Sequence, residues 1–89
     1  MITSKDDLDN AIALFKIDDY YINCKKDVCY LHWVASTEQA REYIDAFLEC
    51  LDVLIDGRWV DTYGSYEQGN PVSLPDQDYI ACRYILATN

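Results

Sequence analysis

Residues 37–57 read TEQAREYIDAFLECLDVLIDG, and the interpretation of this stretch decides the fold. Six carboxylates in it follow one another at alternating steps of four and three residues: Glu38, Glu42, Asp45, Glu49, Asp52 and Asp56. On an α-helix this spacing places all of them within about 40° of one line along the axis. Apolar side chains occupy the opposite side of the same helical wheel: Ala40, Tyr43, Ile44, Phe47, Leu48, Leu51, Leu54 and Ile55. The pattern predicts one amphipathic helix from Ser36 or Thr37 to about Ile55, ended by Gly57.

The flanking segments predict the rest of the fold. Residues 5–16 carry apolar side chains at helical spacing, while residues 19–24 and 28–35 alternate as two strands of a hairpin. Further strands are expected at Arg58–Tyr63 and Tyr79–Ala87, separated by a Gly- and Pro-containing loop over 64–78. We therefore expect a single domain, 1–89, of the α+β class. Its simplest architecture is a four-stranded, mostly antiparallel sheet with helices packed on one face, in the order α-β-β-α-β-β.

The charge of the chain restricts its partners. Sixteen acidic residues against seven basic ones give a net charge of −9. Direct nucleic-acid binding is not expected, because it needs Lys and Arg to displace counterions from phosphates. Anionic membranes repel the chain for the same reason. A basic protein surface is the expected electrostatic partner.

The cysteines and the N-terminal segment bear on the compartment. Residues 1–16 lack a basic start followed by an apolar run, so no secretory signal is predicted and a cytosolic location is expected. The four cysteines, Cys24, Cys29, Cys50 and Cys82, are then expected to be reduced. Cys24 and Cys29 flank a four-residue turn, so a disulfide is geometrically possible there, although buried thiols are the preferred interpretation.

No pattern in the chain predicts catalysis, a metal or a cofactor. His32 is the only histidine, the cysteines lack C-x-x-C spacing, and there is neither a G-x-S-x-G turn nor a phosphate-binding loop. The outward carboxylates of a helix also lack the enclosed cleft that acid–base catalysis requires. We therefore expect a binding protein rather than an enzyme.

The acidic row itself is the candidate partner-binding site. Five successive like-charged pairs cost roughly 1–2.5 kcal/mol in an isolated helix, which a neutralising partner would relieve. In size, charge and this acidic row, the chain resembles the small acidic nucleic-acid mimics of phages and mobile elements, such as anti-CRISPR and antirestriction proteins. The resemblance implies an inhibitor that docks onto the basic nucleic-acid-binding surface of a CRISPR effector or restriction nuclease and excludes DNA or RNA.

An alternative function is an interaction or immunity module that recognises its partner through aromatic and apolar surface. In that hypothesis the 64–78 loop carries the contact, together with Tyr63, Tyr66 and Leu74. Aromatic side chains are the anchors that protein interfaces favour. The two hypotheses differ in salt dependence, because only the first is mainly electrostatic.

Overall fold

The computed structural model describes residues 5–46 and 48–88, and in these ranges the elements follow the order α-β-β-α-β-β-α-β. The helices are α1 (Lys5–Phe15), α2 (Thr37–Asp45) and α3 (Thr62–Glu67). The strands are β1 (Tyr21–Lys25), β2 (Val28–Ser36), β3 (Leu51–Ile55), β4 (Arg58–Asp61) and β5 (Tyr79–Thr88). All of them pair antiparallel in one five-stranded sheet, in the order β1-β2-β5-β3-β4. The predicted α+β class is confirmed.

The long second helix was a wrong prediction. The Ser36 hydroxyl caps α2 by accepting from the Gln39 amide, but α2 ends at Asp45, and residues 51–55 form β3 instead. Asp56 and Gly57 both have positive φ values, 52° and 76°, as the two-residue turn of a tight hairpin requires. This Asp-Gly turn pairs β3 with β4, and the alternation of Leu51, Val53 and Ile55 fits a strand as well as a helix. Phe47 lies outside the described residues.

The sheet therefore has five strands rather than four, and the expected 64–78 loop is shorter. Its first residues belong to α3, where the Thr62 hydroxyl donates to the carbonyl oxygen of Leu51 at 2.9 Å. Further along, Val72 and Leu74 pack against the hydrophobic core. The side chain of Tyr66 lies outside the described residues. Leu74 is therefore only partly accessible to a partner, and the contact surface that the alternative hypothesis places on this segment stays a prediction.

Helices α1 and α2 pack on one face of the sheet, around Phe15. The Phe15 ring lies 4.8 Å from Trp33 of β2, 4.9 Å from Tyr43 of α2 and 5.0 Å from Tyr84 of β5, measured between ring centroids. The Tyr43 hydroxyl donates to the Phe15 carbonyl oxygen, which ties the end of α1 to α2. Strand residues of the opposite parity point away from these helices. We call that second surface the open face.

The cysteines differ from the expectation of reduced, buried thiols. Cys24 and Cys29 are directly opposed in the β1–β2 register and are joined by a disulfide, with Cys24 exposed. The tight turn between the two strands is what places them opposite each other. Cys82 is a buried thiol and Cys50 an exposed one. Among the described residues, no helix is both long and apolar enough to cross a bilayer.

Candidate functional site

The structure separates the six carboxylates of the predicted row. Glu38, Glu42 and Asp45 are exposed on α2, whereas Glu49 and Asp56 are exposed in the turns before and after β3. Asp52 is buried in β3, where it contacts Arg83. The single acidic ridge was therefore a wrong prediction, because α2 ends before Glu49. Five of the six side chains remain accessible to solvent, but they do not share one line.

A different row of side chains crosses all five strands on the open face. In the sheet register, Tyr21 pairs with His32, His32 with Arg83, Arg83 with Asp52, and Asp52 with Asp61. We call these five residues the cross-sheet row. Residues directly opposed in neighbouring strands lie within side-chain contact distance, so the row brings four ionisable groups and a tyrosine together.

Arg83 occupies the centre of the cross-sheet row. Its Nε donates to Asp52 Oδ2 at 2.6 Å, and its guanidinium carbon lies 4.5 Å from the ring centroid of Tyr30 and 4.7 Å from that of Trp59. Burial raises the pKa of the Asp52 carboxyl, while the hydrogen bond and charge of Arg83 oppose that rise. The ion pair is thus partly desolvated and held between two aromatic rings.

At one end of the row, the Asp61 carboxylate accepts hydrogen bonds from residues close to it in the sequence. Its Oδ1 accepts from the backbone N–H groups of Tyr63 at 3.0 Å and Gly64 at 3.2 Å, at the start of α3. A carboxylate in this position satisfies helix donors that have no partner within the helix. Asp61, Asp52 and Arg83 therefore have internal partners and serve the fold.

His32, in contrast, has no hydrogen-bond partner among the described residues. It is only 6% exposed, and both ring nitrogens are buried without a hydrogen bond. The imidazole stacks on Tyr21 with ring centroids 4.6 Å apart and meets the Trp59 ring edge-on at 5.3 Å. Burial lowers the pKa of His32, and the nearby charges of Arg83 and Lys25 lower it further. The ring is therefore neutral at pH 7.

A groove of about 790 Å³ lies beside His32, where β1 stops covering β2. It is lined by the 16–21 connection, by Trp33–Ser36 of β2, and by Gln39 and Tyr43 of α2. Three large apolar side chains on the adjacent open face are more than 60% exposed: Tyr21, Val34 and Tyr79. We call them the apolar patch. In the sheet register Tyr21 and Tyr79 are each a diagonal neighbour of Val34. Exposed apolar side chains that cluster in this way mark interaction sites.

Four exposed carboxylates lie in the groove or at the start of α2, where Ser36 and Gln39 line the groove. Asp18 and Asp19 line the groove, and Glu38 lies in the first turn of α2. Asp78 is held next to this turn, because its carbonyl oxygen accepts from the Thr37 amide at 2.9 Å. We call these four residues the acidic rim. An apolar centre within a charged border is the usual anatomy of a protein interface.

No protein-family model matches this chain, and no curated protein or solved structure matches it significantly. Among the described residues, no group of three or more His, Cys, Asp or Glu side chains is arranged to hold a metal. None of the six predicted site residues is among the described residues that line the groove, although Glu38 directly precedes Gln39, which does line it. The sequence analysis missed Tyr21, Val34 and Arg83. Their signal was the two-residue alternation of the strands, which separates the open face from the core face.

The Asp52–Arg83 pair generates a prediction about stability. Replacing Asp52 by Leu leaves a desolvated guanidinium without its carboxylate, so we expect the free energy of unfolding to fall by about 3 kcal/mol. The double variant Asp52→Leu/Arg83→Met removes both charges and should lose less than Asp52→Leu alone. Urea denaturation of the parent and the two variants measures this. Equal or larger losses in the double variant would contradict a strong coupling of the two charges.

His32 generates a prediction about pH. Its pKa is lowered from 6.5, so the unfolded chain binds the proton more readily than the folded chain. The free energy of unfolding should therefore fall as the pH drops below about 6.5 and stop falling below the folded-state pKa. His32→Phe keeps an aromatic ring and removes this contribution, whose slope is at most about 1.4 kcal/mol per pH unit. Urea titrations at several pH values compare the two proteins, and identical pH dependence would refute the assignment.

Proposed function

We propose that this chain is a protein-interaction module whose binding site is the groove together with the apolar patch and the acidic rim. The observation that carries the proposal is the exposure of Tyr21, Val34 and Tyr79 beside a groove of about 790 Å³. A partner that covers these side chains removes apolar surface from water, which supplies free energy at roughly 25 cal/mol per Å². The proposal keeps the aromatic and apolar recognition of the second sequence hypothesis but places it away from the 64–78 loop.

The partner should carry basic residues around an apolar contact. The acidic rim contributes Asp18, Asp19, Glu38 and Asp78, and the whole chain has a net charge of −9. Such a field speeds the encounter with a cationic surface and disfavours acidic competitors. The apolar patch then provides the affinity that persists at high salt, because its contribution is not electrostatic.

A variant of Val34 tests this function. Val34→Asp places a charge at the centre of the apolar patch, and we expect at least tenfold weaker capture of the partner from an extract of the cells that naturally produce the chain. Leu14→Asp is the matched control, because Leu14 is similarly exposed on α1, outside the patch. Quantitative mass spectrometry of the captured proteins measures the effect. If the parent chain, Val34→Asp and Leu14→Asp all capture the same proteins in equal amounts, the proposed site is contradicted.

The second candidate is the nucleic-acid-mimic inhibitor, which would dock onto the basic surface of a CRISPR effector or restriction nuclease. The observation in its favour is that five of the six predicted carboxylates remain exposed: Glu38, Glu42, Asp45, Glu49 and Asp56. Without a continuous helix, these carboxylates no longer form a single row. The argument for this candidate is therefore general electrostatic complementarity, with release of counterions on docking.

Charge reversal tests the inhibitor hypothesis. In cleavage assays with purified CRISPR effectors and restriction nucleases, the chain should inhibit at low salt and lose potency steeply as salt rises. Glu42→Lys/Glu49→Lys should weaken inhibition at least tenfold. The control Asp9→Lys/Asp27→Lys changes the net charge equally at exposed sites away from the predicted row. The hypothesis fails if no enzyme is inhibited at low salt, or if both variants inhibit as well as the parent.

A further inference from the structure

One edge of β2 is paired with a neighbouring strand over only part of its length. β1 pairs with residues 28–32 of β2, whereas β5 pairs with β2 from Val28 to Ser36. Residues 33–36 are therefore paired on the β5 side and uncovered on the β1 side, where the groove lies. We call these four residues the β2 overhang. A strand with one uncovered side presents backbone donors and acceptors to a further strand.

The direction of the free backbone groups follows from one hydrogen bond. The Thr37 amide donates to the Asp78 carbonyl oxygen at 2.9 Å, which extends the β2–β5 register by one pair. Backbone groups alternate between the two sides of a strand, so Trp33 and Ala35 also face β5. Val34 and Ser36 then point into the groove. Outside the helices and sheet ladders, no backbone hydrogen bond of the described residues involves either of them. Ser36 is also the N-cap of α2, where its carbonyl oxygen accepts the first intrahelical bond. The groups left for a partner are therefore the N–H and C=O of Val34 and the N–H of Ser36.

The β2 overhang lacks the features that protect strand edges. Its sequence, Trp-Val-Ala-Ser, contains no charge and no proline, and the irregularity in the β2–β5 register lies elsewhere, between Cys29 and Tyr30. The outer edges of the sheet differ. β1 ends at Lys25, with Lys26 following in the turn. β4 has only four residues, with Arg58 and Asp61 at its ends. Charged residues and short strands disfavour further pairing.

We propose that the β2 overhang binds an extended, basic segment of the partner protein as an added β-strand. The inference rests on the proposed function and specifies how that partner binds. Addition of a strand uses the backbone for affinity and alternate side chains for selectivity. One set of side chains would lie on the apolar patch beside Val34, and Asp18 and Asp19 favour Lys or Arg in the segment. A second copy of this chain is disfavoured as occupant, because each copy carries −9.

Hydrogen exchange in the free protein gives the first test. The amides of Val34 and Ser36 should exchange faster than those of Trp33 and Ala35, which are hydrogen-bonded to β5 and serve as controls in the same strand. NMR-detected exchange on the full chain measures all four. Equal protection of the two pairs would show that the overhang is already occupied and would overturn the proposal.

A peptide probe gives the second test. A blocked octapeptide of alternating valine and lysine should shift the Val34 and Ser36 amide resonances and slow their exchange. The same peptide with alternate amides N-methylated loses the donors on one edge, and we expect at least tenfold weaker binding. A valine–glutamate octapeptide should not bind, since the acidic rim repels it. Equal binding of the N-methylated peptide, shifts confined to other surfaces, or no binding by the lysine peptide would each refute strand addition.

A variant connects this test to the natural partner. Val34→Pro removes the outward N–H of the β2 overhang, whereas Val34→Thr retains both that group and the branched side chain. Partner capture should fall at least tenfold with proline and little with threonine, provided that circular dichroism shows both variants folded. If Val34→Pro does not fold, the N-methylated peptide decides. If Val34→Asp abolishes capture while the backbone tests fail, the proposed function stands and strand addition is wrong. Capture that is insensitive to Val34→Asp overturns both.

Discussion

The ion pair between Arg83 and Asp52 is the constraint around which the open face is organised. Arg83 lies on β5, the central strand of the sheet, and a guanidinium there must keep a partner because it is largely removed from water. Asp52 supplies that partner from β3, and the rings of Tyr30 and Trp59 cover the guanidinium from β2 and β4. Arg83 of one strand is thus contacted by side chains from three others. A shift of one residue in any of their registers would move a member of this cluster to the core face.

The polar groups on the two sides of this cluster differ in whether they have hydrogen-bond partners. On the β3 and β4 side, the carboxylates of Asp52 and Asp61 have hydrogen-bond donors within the chain. On the β1 and β2 side, no described residue hydrogen-bonds to the His32 ring nitrogens, and no described strand pairs with the β2 overhang on the side opposite β5. Buried polar groups in stable domains are nearly always paired. Among the described residues, the exceptions are the two His32 nitrogens and Trp33 Nε1, and both residues line the groove at one corner of the sheet. The apolar patch lies at the same corner, and this coincidence favours it as the binding site.

Several parts of the fold were predictable from sequence because local and tertiary preferences agree there. The first helix and the β1–β2 hairpin were confirmed within two residues, since their periods of apolar residues are unambiguous. The stretch after Asp45 was wrong because two periods overlap in it: the carboxylates repeat at helical spacing, while Leu51, Val53 and Ile55 repeat at strand spacing. Asp56-Gly57 was the deciding signal, because an Asp-Gly pair between apolar segments predicts a hairpin more strongly than a helix end. The Asp52–Arg83 pair was missed with it, since Asp52 was assigned to solvent rather than to Arg83. The apolar patch was missed because it depends on the strand order β1-β2-β5, which brings together residues that are far apart in the sequence.

The loss of the acidic ridge changes how the charge of the chain should be understood. A row of carboxylates on one helix is a geometric match for a repeating cationic partner, whereas exposed carboxylates distributed over several elements define only a field. A field selects the sign of the partner and speeds its approach, but it gives little geometric selectivity. Selectivity must then come from groups with fixed positions and directions. Under the proposed function those groups are the N–H and C=O of Val34, the N–H of Ser36 and the rings beside His32. The proposal therefore places recognition at the sheet edge rather than on the acidic helix.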